Sequence, residues 1–168
     1  LYLLGCPVMH GEDIRISEEQ YRLEIRGLML ILWNVYNFFV TYANVDGFQL
    51  PASSFQTENV LDRWILSLLQ KLVQEVTDAL EKYDTVRAVD VLHGFISDLS
   101  TWYIRRSRDR VGPNGTDKEA FYGTCLPVLR TLSKLVAPMA PFLAEEIYRN
   151  LTGEESVHLT TWPLVKED

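Results

Sequence analysis

Residues 102 to 110 read Trp-Tyr-Ile-Arg-Arg-Ser-Arg-Asp-Arg, and they hold the densest chemistry in the chain. Arg105, Arg106, Arg108 and Arg110 place four guanidinium groups within six positions. A guanidinium is always charged, planar and able to grip a phosphate through two parallel N–H donors. The protein around them is acidic, with 16 basic residues, 23 acidic residues and a formal charge of −7. Taking these four from the 16 would leave 12 basic residues against 23 acidic ones. One concentrated basic spot on an acidic body points to a local anionic partner, RNA first. A generally basic surface would instead indicate diffuse attraction to nucleic acid or membrane.

On a helix, Arg105 and Arg108 lie on one side and Arg106 and Arg110 on another. Such a fan can hold consecutive phosphates of a bent strand, while guanidinium planes stack on splayed bases. Trp102 and Tyr103 can serve as stacking platforms. Ordinary structural roles are open to all of them. Arginines at a helix C-terminus complement its dipole for about 0.3–1 kcal/mol each, and aromatics at helical spacing more often belong to the core. The candidate RNA-contacting set is Arg105, Arg106, Arg108, Arg110 and Trp102.

Enzyme signatures do not compete with this reading. The nine glycines are isolated or sit in turns, so no glycine-rich phosphate loop follows a strand. There is no Gly-x-Ser-x-Gly elbow and no His-Glu-x-x-His pair. His93 lies beside an apolar stripe, while His10 and His158 fall in irregular segments. Cys6 and Cys125 form no CxxC pair and no metal-ligand spacing with the histidines; a disulfide between them stays open. No catalytic residue and no metal site is expected in this chain.

The elements that must position the arginines are helical. The 168 residues, 47% apolar with mean hydropathy near zero, can bury a real core. Ser17-Glu18-Glu19-Gln20 is a capping box that opens a helix expected to reach about Tyr42, with Asp46-Gly47 closing the connection. From Leu28 to Phe39 this helix is apolar over most of its circumference, which predicts a central position. Gly27 marks a place where another helix can approach closely. The apolar run Leu28 to Val40 is broken by Asn34 and Asn37 and is too short to span a bilayer.

Pro51 to Gln56 read as a loop. Thr57 to Lys82 predict a second helix with one apolar stripe, from Val60, Leu61, Trp64 and Ile65 through Leu69, Leu72, Val73 and Val76 to Ala79 and Leu80. Tyr83-Asp84-Thr85 supply a turn and a cap, and a third helix over about Val86 to Arg108 ends in the arginines. Val111 to Thr116 form a break, and Thr116 or Asp117 can cap a fourth helix from Lys118 to Val136. Pro127 is expected to kink or divide that helix. Pro138 and Pro141 end it, and Phe142 to Leu151 form a short fifth, with Glu145 and Glu146 in its first turn. Ser156 to Pro163 are expected to be extended. The prediction is an all-α antiparallel bundle of four long helices plus a short fifth. Residues 17–152 form the bundle, between a lead-in segment at 1–16 and an exit segment at 153–168.

Several phrases, in order, resemble the anticodon-binding helical domain of class I aminoacyl-tRNA synthetases, in its isoleucine branch. Cys6, at a serine-like position, and Pro7-Val8-Met9-His10-Gly11-Glu12-Asp13 are similar to the phrase that follows the family's catalytic domain. Trp33 to Asn44 are similar to its first-helix signature, and Leu61-Asp62-Arg63-Trp64-Ile65 to the start of its second. Trp102 to Arg108 resemble the isoleucine branch, where valine relatives carry fewer basic residues. Ala137-Pro138-Met139-Ala140-Pro141-Phe142 with Glu145, Glu146 and Tyr148, then Val157-His158-Leu159 with Trp162-Pro163, complete the pattern. The chain departs from it at His10, where arginine is common, and at Pro127. The start at Leu1, inside an apolar phrase, is expected of a segment from a longer chain.

The resemblance implies a piece of an ATP- and Mg-dependent, cytoplasmic isoleucine–tRNA ligase. Its partners would be tRNA(Ile) and the catalytic and editing domains of the same longer chain, with a monomeric state and no membrane. It implies no cofactor held by this piece itself. The valine and leucine relatives, and a protein-interaction bundle without RNA, are the alternatives.

Overall fold

The computed structural model describes residues 1–49 and 58–165, without the side chains of residues 24 and 25. The loop read at Pro51 to Gln56 and the helix start at Thr57 lie outside the described residues. Among the described residues, four long helices and a shorter fifth follow in order: α1 (Glu18–Val45), α2 (Val60–Glu81), α3 (85–111), α4 (Lys118–Val136) and α5 (Pro141–Thr152). No strand occurs among the described residues.

Local chemistry sets most of the helix ends. Ser17 Oγ accepts from the Gln20 amide at 3.2 Å, one half of the capping box, while the Gln20 side chain accepts from the Tyr2 hydroxyl at 3.4 Å. α1 closes at Gly47, whose φ of 64° suits a residue without Cβ, and Phe48 N–H returns to Ala43 O at 2.9 Å. Asn59 caps α2 through Leu61 N–H at 2.9 Å. Asp84 caps α3 through Arg87 N–H, also at 2.9 Å.

α4 occupies the centre that sequence assigned to α1. Phe121, Tyr122, Cys125, Val128, Leu129, Leu132, Leu135 and Val136 are all at most 1% exposed. α1 is long and apolar enough to cross a bilayer by length and composition. Its line of Leu28, Leu32, Val35, Tyr36, Phe39 and Ala43 is instead buried within the bundle, while Leu30 and Val45 face out. α4 also runs through Pro127 undivided. Leu126, Val128 and Leu129 are buried on either side of the proline, and that packing offsets a backbone cost of about 3 kcal/mol.

Gly27 does receive a close neighbour: a Cβ there would lie 2.5 Å from His93 Nε2 on α3. The lead-in segment holds a 3₁₀ turn, Pro7–His10, and docks on the start of α3, where Thr85 Oγ1 donates to Leu4 O at 2.9 Å. Cys6 and Cys125 are free and buried. Burial pushes the Cys125 thiol up, so it stays protonated and inert.

Candidate nucleic-acid interface

α3 carries the arginines, and its winding decides which of them reach solvent. Thr85–Asp98 is regular. Over Leu99–Ile104 the helix widens to a π turn with i to i+5 bonding, and Arg105–Val111 then resumes the α form. The widened turn lets the neighbours Tyr103 and Ile104 both point inward, followed by Ser107 and Val111. Trp102, Arg105, Arg106 and Arg108 are left on the outer side.

Arg105, Arg106 and Arg108 are exposed and form no ion pair among the described residues. Trp102 is half exposed, and Arg106 Cζ lies 4.6 Å from the centre of its ring. That cation–π contact holds one guanidinium over one face of the indole. The arrangement can accept anionic oxygens at three points beside an aromatic face.

Arg110 and Tyr103 turn the other way. Sequence grouped Arg110 with the RNA-contacting arginines, but its guanidinium forks onto Asp62, Nη1 to Oδ1 at 2.6 Å and Nη2 to Oδ2 at 2.7 Å. Nη2 also lies 2.7 Å from Asp117 Oδ2. The Tyr103 hydroxyl donates to the same Asp62 at 2.8 Å, and its ring stacks on Phe121 at 5.7 Å between centres. Asp62 is wholly buried. Two carboxylates, the Ser107 hydroxyl at 3.4 Å and the Phe121 ring at 5.7 Å from Cζ thus take up Arg110, so three of the four arginines in the run face outward. Burial works against the charge on Arg110, but Asp62 outweighs it and raises the guanidinium pKa further. Burial, reinforced by the negative charge of Asp62, raises that of the Tyr103 phenol.

The network reaches further than the arginine run. Asn59, the α2 cap, donates from Nδ2 to Asp117 Oδ2 at 3.1 Å, where Asp117 precedes α4. The Gly112–Thr116 turn permits this because a side chain at Gly115 would meet Arg110 O at 1.9 Å. Asp117 spends its carboxylate on Asn59 and Arg110 and makes no side-chain cap for α4. Sequence reading missed Asp62 and offered Asp117 only as a cap for α4. A signal for Asp62 existed: it falls on the buried line of Ile65, Leu69, Leu72, Val76 and Ala79 at alternating steps of three and four. A carboxylate on such a line demands a buried cation.

Two smaller expectations change as well. Glu145 lies beyond the first turn of α5, and it accepts from Ser156 Oγ and Val157 N–H, both at 2.9 Å. It therefore ties down the exit segment, which turns through a short 3₁₀ stretch, Val157–Leu159, where an extended one was expected. Trp162 Nε1 donates to Thr77 Oγ1 on α2 at 2.8 Å and fixes the exit from the other side. Val60, placed in the α2 stripe by sequence, is exposed at the first position of the helix.

The order and packing of the helices define an all-α domain. The structure is similar to that of the LeuRS–tRNA–LeuAMS ternary complex from Agrobacterium radiobacter, with a TM-score of 0.62 at 18% identity. That likeness covers 98% of this chain and 19% of the other. Residues 62–168 match the family model described as the anticodon-binding domain of tRNA ligase. The chain belongs to that family. It is 47% identical over 161 residues to the isoleucine–tRNA ligase of Deinococcus radiodurans, covering 94% of this chain and 15% of that protein. It is 44% identical over 164 residues to the same-named protein of Dehalococcoides mccartyi, covering 92% and 16%. The match to the Treponema denticola protein of that name is 37% over 181 residues, covering 97% and 16%. The chain thus spans about one sixth of the length of the curated relatives it matches.

Proposed function

We propose that this chain binds the anticodon arm of tRNA(Ile) on behalf of an isoleucine–tRNA ligase. Aminoacylation, with ATP and Mg, is the work of other domains of the longer protein, which acts as a cytoplasmic monomer. Within the chain, residues 17–152 are the binding bundle, and 1–16 and 153–168 connect it to its neighbours. The observation that carries this reading is the outward set of Arg105, Arg106 and Arg108 beside half-exposed Trp102. The three guanidinium groups take phosphates and fix the register of the RNA, and Trp102 offers its face to an unstacked base. Arg110 serves from inside, by holding the helix that carries them.

The division of labour has a physical basis. An amino-acid pocket separates isoleucine from valine by a methylene, for about 1–3 kcal/mol. Choosing among tRNAs is a separate problem, and unstacked anticodon bases offer edges and faces to read. The choice of isoleucine over valine or leucine rests on the names of relatives at 37–47% identity.

Titration of the chain with tRNA(Ile), and with an anticodon-swapped version, across salt concentrations tests the proposal. Three phosphate contacts predict a slope of log affinity against log salt of about −2 to −3. Arg105→Ala and Arg108→Ala should each weaken binding while shifting Tm by no more than about 1–2 °C. A slope near zero, or equal affinity after loss of both arginines, would overturn it.

A further inference from the structure

We infer that Asp62 is a positioning residue for RNA binding: one buried carboxylate holds both ends of the segment that presents the exposed arginines. The inference rests on the RNA reading above and adds to it the part that sets the geometry. Tyr103 and Arg110 are seven residues apart, two helical turns, and therefore share a face. Both bond Asp62, through the Tyr103 hydroxyl at 2.8 Å and the two Arg110 contacts at 2.6 and 2.7 Å. Arg105, Arg106 and Arg108 lie between these two points and face out.

The segment needs such a clamp. Arg105–Val111 has seven residues, a π turn before it and the Gly112–Thr116 break after it. As the last turns of α3, these residues would fray in water unless tertiary contacts held them. Two attachments on one face fix the roll of the segment, and with it the directions of the three arginines. Guanidinium groups already in place lose less freedom on binding than a mobile set would. A carboxylate suits the task because a forked Arg–carboxylate pair fixes orientation, whereas an apolar pair of similar size would match it in stability alone.

The test uses the 168-residue chain and a tRNA(Ile) transcript, at a temperature where circular dichroism shows every variant folded. Asp62→Asn keeps the size of the side chain and removes the charged fork on Arg110, leaving Asp117 as its remaining carboxylate. Tyr103→Phe removes a single hydroxyl and decides the matter alone if Asp62→Asn does not fold. Asp62→Asn should weaken binding about tenfold and flatten the salt slope by about one phosphate contact, with Tyr103→Phe about threefold weaker. Leu69→Ala, which opens the core on the same helix without touching the clamp, should keep the parent affinity and slope. Parent-like binding by Asp62→Asn and Tyr103→Phe would overturn the inference, and so would an equal loss in Leu69→Ala. If Arg105→Ala and Arg108→Ala leave binding intact, the RNA reading itself falls and this inference falls with it.

Discussion

A guanidinium forked onto a buried carboxylate and a guanidinium held in water obey different energetics, and α3 displays both within six residues. Arg110 contributes through Asp62 and Asp117, in a site where removing one partner strands the other charge away from water. Arg110→Ala should therefore cost about 3–5 kcal/mol, read from urea unfolding midpoints. Combining Arg110→Met with Asp62→Leu and Tyr103→Phe should restore most of that loss, since no buried charge or hydroxyl is then left without a partner. Arg105→Ala should stay within about 0.5 kcal/mol of the parent. A large loss for Arg105→Ala, or none for Arg110→Ala, would reverse these assignments. Sequence presented the four arginines as equivalent because nothing local to residues 105–110 distinguishes them. The distinction comes from Asp62, 48 positions away. Sequence offered both Trp102 and Tyr103 as stacking platforms and put Trp102 alone in the RNA-contacting set; the π turn sets Trp102 outward and Tyr103 against Phe121.

Helices and caps were legible because their causes are local. Ser17 and Asp84 bond the freed amides of their own first turns, as their spacing predicted. The long stripe of α2 repeats at the helical period. The π turn of α3 and the passage through Pro127 were not legible, because each is a backbone departure that tertiary packing sustains. Two positions show local preference overruled, and both predict stabilising changes. Tyr83 sits after α2 at φ 59° and is 91% exposed, so its side chain adopts a left-handed backbone with little packing in return. Tyr83→Gly relieves about 1–2 kcal/mol of strain and loses about 0.5–1 to a freer unfolded chain, for a net gain of up to about 1.5 kcal/mol. Gly94 is the converse: exposed inside α3, with nothing within 4 Å of a Cβ built there. Gly94→Ala should stabilise by about 0.4–1 kcal/mol. Thermal melts of the two variants should both shift upward, and a downward shift in either would show that its site is constrained by something other than backbone preference.

Across the whole molecule, the excess of acidic residues does structural work at the joints between elements. Asp46, at the end of α1, accepts from Lys118 Nζ at 2.7 Å and Tyr122 Oη at 2.5 Å on α4. Asp84 caps α3 and lies 3.5 Å from His10 of the lead-in segment, and Glu145 pins the exit segment to α5. All three carboxyls are held below their ordinary range. Lys118 and Tyr122 lower Asp46 against burial, and the Arg87 amide, with help from His10, lowers Asp84 in the same way. At Glu145 burial pushes upward, but the Val157 amide and Ser156 hydroxyl outweigh it. A carboxylate lowered by folding leaves the native state with fewer protons than the unfolded one. Its contribution is full above the unfolded values, about 3.9 for Asp and 4.3 for Glu, and is lost as pH falls through the folded values. Tm should therefore stay level from about pH 8 to about pH 5 and fall below about pH 4. Because the three groups join the lead-in, exit and α1–α4 contacts, the fall should begin with loosening of these joints while the α2–α3–α4 core persists. Hydrogen exchange at about pH 3.5 should then show residues near 1–16 and 153–165 opening before α4. Glu145→Gln should lower Tm at neutral pH and reduce the further fall on acidification, since its own titration is gone. A Tm that holds to pH 3, or opening of α4 ahead of the two ends, would place the acid-sensitive charges elsewhere.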